Sequence, residues 1–249
     1  MPAPLPSPLV VAHGGASAEA PENTIAAFEL ALDQGADGIQ LDVHFSSDDQ
    51  PVVIHDFTLE RTTDGAGPVH RLTVRQLKRL DVGSWRGRRW RGQRIQTLQE
   101  VLERFRDRTR FWIELKGGPD LYPGMEEAVV SMIETYDVVA CSLVQSFDRE
   151  VLARIRRGNR GVKLGALAIR EPLEAILAAP GAAQALCAGH HLLGPEALAA
   201  IRRAGLECYA WTVNEPAQMD RLVEWKVNGV ITDRPALLRG RLDRKGPPG

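Results

Sequence analysis

Two periods of apolar residues run along the chain. Short runs with a two-residue repeat, or with unbroken apolar character, read as strands, because successive strand side chains point to opposite faces. They fall at 8–13 (PLVVAH), 37–43 (DGIQLDV), 110–116 (RFWIELK), 140–146 (ACSLVQS), 162–168 (VKLGALA), 184–189 (QALCAG), 206–213 (LECYAWTV) and 229–232 (GVIT). Between them apolar residues recur at helical spacing. Ile25, Phe28 and Leu32 mark one helix, with Asn23 as its expected cap and Gln34-Gly35 as its end. Leu152 and Ile155, then Leu198 and Ile201, then Met219, Leu222 and Val223 mark three more. Pro235 opens a last short helix, and RKGPPG reads as a frayed tail.

A ninth run, Pro51-Val52-Val53-Ile54-His55, follows the second strand after only five residues. A parallel crossover needs about a dozen or more, so this run is an antiparallel return strand. With it set aside, eight βα units remain over 249 residues. That alternation predicts an α/β fold, a (β/α)8 barrel, with a doubly wound parallel sheet as the other candidate. A turn centred near Asp48 is expected to bring His55 opposite Asp42, with Cβ atoms roughly 5 Å apart.

Composition narrows the partners. The chain is 44% hydrophobic and 25% charged, enough for one large domain spanning 1–249. A net charge of -1 supplies no basic field for nucleic acid, and no stretch reaches transmembrane length. Cys141, Cys187 and Cys208 are far apart, without metal-type spacing, and read as core thiols of a reducing compartment. The expected setting is the cytoplasm.

On a barrel, chemistry sits at the carboxyl ends of the strands. Those ends carry His13, Gln40, Asp42, Glu114, Lys116, Gln145, Ser146, Trp211, Asn214 and Asp233, with His55 from the hairpin. Asp42, Glu114 and the Gln40 amide oxygen form a set of hard donors suited to Mg²⁺ or Ca²⁺ rather than zinc or copper. Singly, each has a plain reading: a hydrogen-bonding histidine, a rim ion pair, a packed tryptophan. Their joint placement on one rim points to a site.

The stretch AHGGASAEAPENTIAAFELALDQGADGIQLDVHFSSDDQPVVIHDFTLERTTDGAG resembles the N-terminal signature of glycerophosphodiester phosphodiesterases, H-R-G…P-E-N-T…G-A-D…E-x-D-V…D-G-x-P-V…H-D…R-T-T…G. IELK at 113–116, AWTVN at 210–214 and GVITDRP at 229–235 resemble later blocks of that family, in order. The resemblance implies a TIM barrel with a small insertion after strand two, here 44–100. It implies hydrolysis of a small-molecule glycerophosphodiester to glycerol phosphate and an alcohol, with a divalent cation. His13 and His55 match the family's acid–base pair, and Asp42 and Glu114 match two of three metal-ligand positions, the third falling on Gln40. Lys116 matches a cation near the phosphate and Trp211 an aromatic near the substrate.

Two positions depart from the pattern: Gly14 stands where Arg is usual and Gln40 where Glu is usual. Each removes positive charge or metal affinity where the phosphate is expected. Three consequences are open: a weaker or different metal requirement, another substrate such as a lysophospholipid, or a degenerate barrel that binds a phosphodiester without cleaving it. The retention of His13, Asp42, His55, Glu114 and Lys116 favours activity. A barrel enzyme of unrelated chemistry is disfavoured by the lack of any cofactor fingerprint or zinc-type histidine cluster. The basic run SWRGRRWRGQR at 84–94 reads as a solvated loop with Trp85 and Trp90 packed on the rim, or as a guide for anionic diesters through Arg88, Arg89 and Arg91. Thr97 and Glu100 after it predict a capping box.

Overall fold

The computed structural model describes residues 7–178 and 182–245; of the expected tail, 246–249 lie outside them. Eight parallel strands form the barrel: β1 (Leu9–His13), β2 (Gly38–Phe45), β5 (Arg110–Leu115), β6 (Ser142–Ser146), β7 (Lys163–Ala168), β8 (Ala185–Gly189), β9 (Glu207–Trp211) and β10 (Gly229–Thr232). Each pairs in parallel with its neighbour, and β1 closes the ring by pairing with both β10 and β2. The doubly wound sheet is thereby excluded. Six of the eight strands begin one or two residues later than the sequence suggested; the fourth begins after a 3-10 turn at Val139–Cys141.

Burial on both faces explains the strand pattern. Every residue of β2 is buried. Ile39, Leu41 and Val43 join the layer packed under the helices, with Phe28, Val101 and Phe105. The opposite face turns into the lumen, where Val11, Trp112, Leu143, Leu167, Cys187, Tyr209 and Ile231 fill the barrel. Gly38 is required there, since a Cβ would stand 2.3 Å from the Trp112 ring. The polar set Gln40, Asp42 and His44 thus faces the inside.

Helix α1 (Ile25–Asp33) corrects one expectation. Thr24, not Asn23, is its cap, accepting from the Ala27 N–H. Asn23 sits at a left-handed φ of 57° and serves the site instead. The excursion between β2 and α3 (Leu98–Phe105) holds β3 (Pro51–Val53), α2 (Val74–Leu77) and β4 (Gln96–Thr97). Val52, Ile54, Leu59, Val69, Leu77, Val82 and Ile95 give it a small core of its own. The Thr97–Glu100 capping box forms in both directions.

The hairpin register differs by one residue from expectation. Strand β3 pairs antiparallel with β2 as Val43↔Val53 and Phe45↔Pro51, and the Ile54 N–H donates to the Asp42 carbonyl. The turn is centred on Asp48 and closed between Ser46 and Gln50, so Ile54 rather than His55 stands beside Asp42. Regular pairing ends at Val53, and His55 follows it onto the wall of the barrel mouth.

Candidate active site

A cleft of about 500 Å³ opens at the carboxyl ends of β1, β2 and β10, walled by His13, Asn23, Asp42, His55, Asn214 and Asp233. His13 ends β1. Its Nδ1–H donates to Asp233 Oδ1 at 2.8 Å, which leaves Nε2 for the cleft. Asp233 also accepts from Ser17 Oγ at 3.0 Å and from Asn214 Nδ2 at 2.5 Å. Burial opposes the charging of His13, but the Asp233 hydrogen bond and charge, with Asp42 and Glu114 beyond, outweigh it and raise its pKa.

His55 is held the same way. Its Nδ1 lies 2.6 Å from Asp56 Oδ1. Arg61 then grips Asp56 through Nε and Nη2 and Glu22 through both terminal nitrogens, at 2.6 to 2.9 Å. That guanidinium holds the Asp56 pKa down at about 2. Two histidines therefore face one cleft, each oriented by a carboxylate that fixes its tautomer.

Between them lies a buried charge cluster. Asp42 and Glu114 occupy one level on neighbouring strands, and Lys116 Nζ bridges them at 3.0 and 2.6 Å. Asn23 clamps Asp42, donating to Oδ2 at 2.8 Å and accepting its backbone N–H at 3.2 Å. Burial disfavours charge on Asp42, yet Lys116 and the two histidines pull its pKa well below the usual range. Glu114 goes the other way, raised by burial and by Asp42. Lys116 is raised despite its burial, by those two carboxylates.

Gln40 is beside Asp42 as expected, but its amide oxygen is turned away. Oε1 accepts the Gly14 N–H at 3.0 Å, while Nε2 donates to Asp42 Oδ1 at 3.0 Å. Reversing the amide would set NH₂ against N–H and oxygen against carboxylate, so the partners fix its direction. Gly14, at φ 60°, makes this contact where Arg was the family expectation.

Trp211 does not line the cleft; Thr212 does. Its indole N–H donates to the Cys187 carbonyl at 2.7 Å, and its ring meets Phe147 edge-on at 5.8 Å. From the basic loop, Trp85 and Arg86 reach the cleft. Arg86 and Arg89 tie the loop to the Ala18 and Glu19 carbonyls, and Arg89 also lies over Trp90 at 4.8 Å. Trp85 is 40% exposed rather than packed away.

His44, third in the alternation with Gln40 and Asp42, has a structural part. Its Nε2–H donates to the His55 carbonyl at 3.1 Å, and Nδ1 accepts from Tyr122 Oη at 2.8 Å. Burial lowers its pKa to about 4, so it stays neutral and props the segment that carries His55.

Among the described residues no three His, Cys, Asp or Glu side chains form a metal cluster. The acidic donors are two, Asp42 and Glu114, and with Lys116 they leave one net negative charge in a buried place. Gln145, on the next strand at the level of Glu114, buries an amide oxygen without a partner. A Mg²⁺-type ion takes one or two carboxylates and fills its shell with water and phosphate oxygens, so the residues fit.

The model of the glycerophosphoryl diester phosphodiesterase family matches residues 13–237. The chain belongs to that family. A glycerophosphodiester phosphodiesterase of Caldanaerobacter subterraneus subsp. tengcongensis is 38% identical over 96% of this chain and 98% of its own. One from Bacillus subtilis is 34% identical over 92% and 84%. Among solved structures, an Oleispira antarctica phosphodiesterase in complex with the product sn-glycerol-3-phosphate superposes with a TM-score of 0.87 at 28% identity, covering 95% of this chain and 97% of that one. This likeness agrees with the barrel read from the strand alternation.

Asp56 and Asp233, which orient the histidines, carried no assigned role in the sequence reading. The signal for Asp56 was its place directly after His55; that for Asp233 was its place at the end of the strand adjoining His13. Nothing in the sequence marked Asn23 as the clamp of Asp42.

Proposed function

We propose that this member of the family hydrolyses glycerophosphodiesters to glycerol phosphate and a free alcohol, with His13 and His55 as the acid–base pair. The observation that carries the reading is the pair of carboxylate-held imidazoles facing one cleft. Its pKa raised by the Asp233 hydrogen bond and charge, His13 is the group that delivers a proton to the departing alkoxide. His55 takes the proton of the attacking hydroxyl, either water directly or the neighbouring glycerol oxygen, after which water opens the resulting cyclic phosphate to glycerol phosphate. Lys116 places positive charge beside the phosphate oxygens. A divalent cation at Asp42 and Glu114 supplies further charge neutralisation when bound. The carboxylate partners of both histidines speak against a degenerate binding barrel.

The test is release of alcohol from glycerophosphocholine by EDTA-treated protein given Mg²⁺, Ca²⁺ or Mn²⁺. Turnover that His13→Ala and His55→Ala each abolish supports the reading; inert wild type with every cation sinks it.

One observation favours a second substrate, a single-chain lysophospholipid. The five exposed large hydrophobics of the described residues are Phe57, Trp85, Leu121, Phe147 and Ile169. Trp85 lines the cleft, and the other four follow β3, β5, β6 and β7 at their carboxyl ends. An apolar collar around a phosphodiester cleft fits an acyl chain on the same molecule. Lower KM for lysophosphatidylcholine than for glycerophosphocholine would support it, and the reverse order would remove it. No helix among the described residues is long and apolar enough to cross a membrane. The three free cysteines support a cytoplasmic setting.

A further inference from the structure

Gln145 lies on β6 at 1% exposure, and its Oε1 is a buried acceptor without a hydrogen-bond partner. Buried amide oxygens are nearly always paired, so Oε1 calls for a partner that is not protein, an ordered water or an ion. Its position is specific. The strand register runs Asp42↔Glu114↔Gln145 across β2, β5 and β6, one level of the barrel. Two residues earlier on β5 and β6, Trp112 and Leu143 belong to the lumen. With the two-residue period, Glu114 and Gln145 point inward as well. A Cβ on Gly165, the next residue at that level, would meet the Gln145 Cβ at 3.4 Å and the lumen thiol of Cys187 at 3.0 Å. The Gln145 side chain therefore stands inside the barrel on the flank of Glu114.

The two glutamines of this site are in opposite states. Gln40 has its oxygen committed to the Gly14 N–H and its NH₂ to Asp42. Gln145 has an oxygen committed to nothing. Beside it, Asp42 and Glu114 outnumber the one ammonium that they share. A neutral hard oxygen one strand from Glu114 and two from Asp42, at their level, is the donor type that Mg²⁺ and Mn²⁺ take beside carboxylates.

We infer that Gln145, through Oε1, is a third protein ligand of a divalent cation held by Asp42 and Glu114, and that Gln40 is not a ligand but the brace of Asp42. This rests on the cation included in the proposed function. The sequence position expected to complete the donor set is thus replaced by one on another strand.

The experiment is Mn²⁺ titration of EDTA-stripped protein, with free Mn²⁺ followed by electron paramagnetic resonance. Gln145→Met keeps the side-chain length and removes the oxygen; it is expected to raise the Mn²⁺ Kd by about tenfold or more. Gln145→Glu restores an oxygen and is expected to return Kd to the wild-type value or below. Gln40→Met, by loosening Asp42 only, is expected to cost less than Gln145→Met. The melting temperature of Gln145→Met should not fall, because the lost oxygen bonds nothing in the protein.

A Gln145→Met Kd within twofold of wild type, while Asp42→Asn loses binding, overturns the assignment and leaves an ordered water as the partner of Oε1. A larger loss in Gln40→Met overturns it too. Wild type that binds no Mn²⁺ also overturns it, and diester turnover persisting in that protein would leave the cleavage reading standing. Normal Mn²⁺ binding with no turnover of any diester would sink the cleavage reading and leave the ligand assignment intact.

Discussion

The mouth of this barrel has two unlike halves. The half built by β1, β2, β5 and β10 carries charge, and each of its charged groups is held. Asp233 has three donors, Asp42 is gripped by Asn23, Gln40 and Lys116, and Asp56 is locked by Arg61. The half built by β6 to β9 shows Phe147, Ile169 and Trp211, while Arg149 and His191 are bonded to backbone carbonyls and Gln145 is buried. The polar half is preorganised, so its dipoles need not reorient as charge develops on a reacting phosphate. The other half, apart from Gln145, offers a substrate apolar area instead. Removing a group from the first half should change rate; removing one from the second should change which diester is preferred.

The largest expected break in the polar half comes from its histidines. His13→Ala or His55→Ala should lower kcat by about 10² to 10⁴ while far-UV circular dichroism stays native. Retention of more than a tenth of wild-type kcat would remove that histidine from the chemistry.

Lys116→Met comes next; besides slowing turnover, it should lower stability. It leaves Asp42 and Glu114 buried at one level without their cation, costing about 3 kcal/mol in denaturant unfolding. Glu114 would then hold its proton more tightly folded than unfolded, since burial and Asp42 already raise its pKa. A raised folded-state carboxyl pKa makes stability fall as pH rises, so the loss should be greater at about pH 8 than at about pH 5. Equal losses at both would contradict the coupling of Glu114 to Lys116.

Asp233→Asn should act more gently, through His13. The carboxylate raises that histidine's pKa, and activity needs its proton. Activity is lost as pH rises through the pKa, so the alkaline limb of kcat/KM should move to lower pH, by roughly one unit. An unmoved limb would mean that His13 is not the acid.

The smallest effect belongs to the apolar half. Phe147→Ala should change stability by less than about 0.5 kcal/mol and leave KM for glycerophosphocholine within about twofold. For a lysophospholipid, the lost ring should raise KM by about five- to tenfold. The same change for both substrates would erase the distinction between the halves.

Much of this arrangement was legible in the sequence. The eight staves followed from short apolar runs separated by amphipathic stretches, a pattern that parallel strands buried on both faces must show. His13 and Asp42 followed from strand ends and His55 from the hairpin, and all three line one cleft; Glu114 and Lys116, also from a strand end, join it through the ion pairs to Asp42. The hairpin register slipped by one residue because the turn centres on Asp48 itself rather than between Asp48 and Asp49, a half-residue difference that residue type alone does not settle. His44 and Asp42 look alike in the alternation; they part company because Tyr122, 78 residues on, supplies a partner for His44. Nor could the direction of the Gln40 amide be read, since it is set by the backbone N–H of Gly14, in the turn after β1, and by Asp42.

The most direct test of the central claim is choline release from glycerophosphocholine by wild type, His13→Ala and His55→Ala, side by side at one saturating Mg²⁺ concentration. Turnover by the wild type with both variants silent is the result that two carboxylate-held imidazoles over one cleft require. Turnover undiminished in either variant would contradict it.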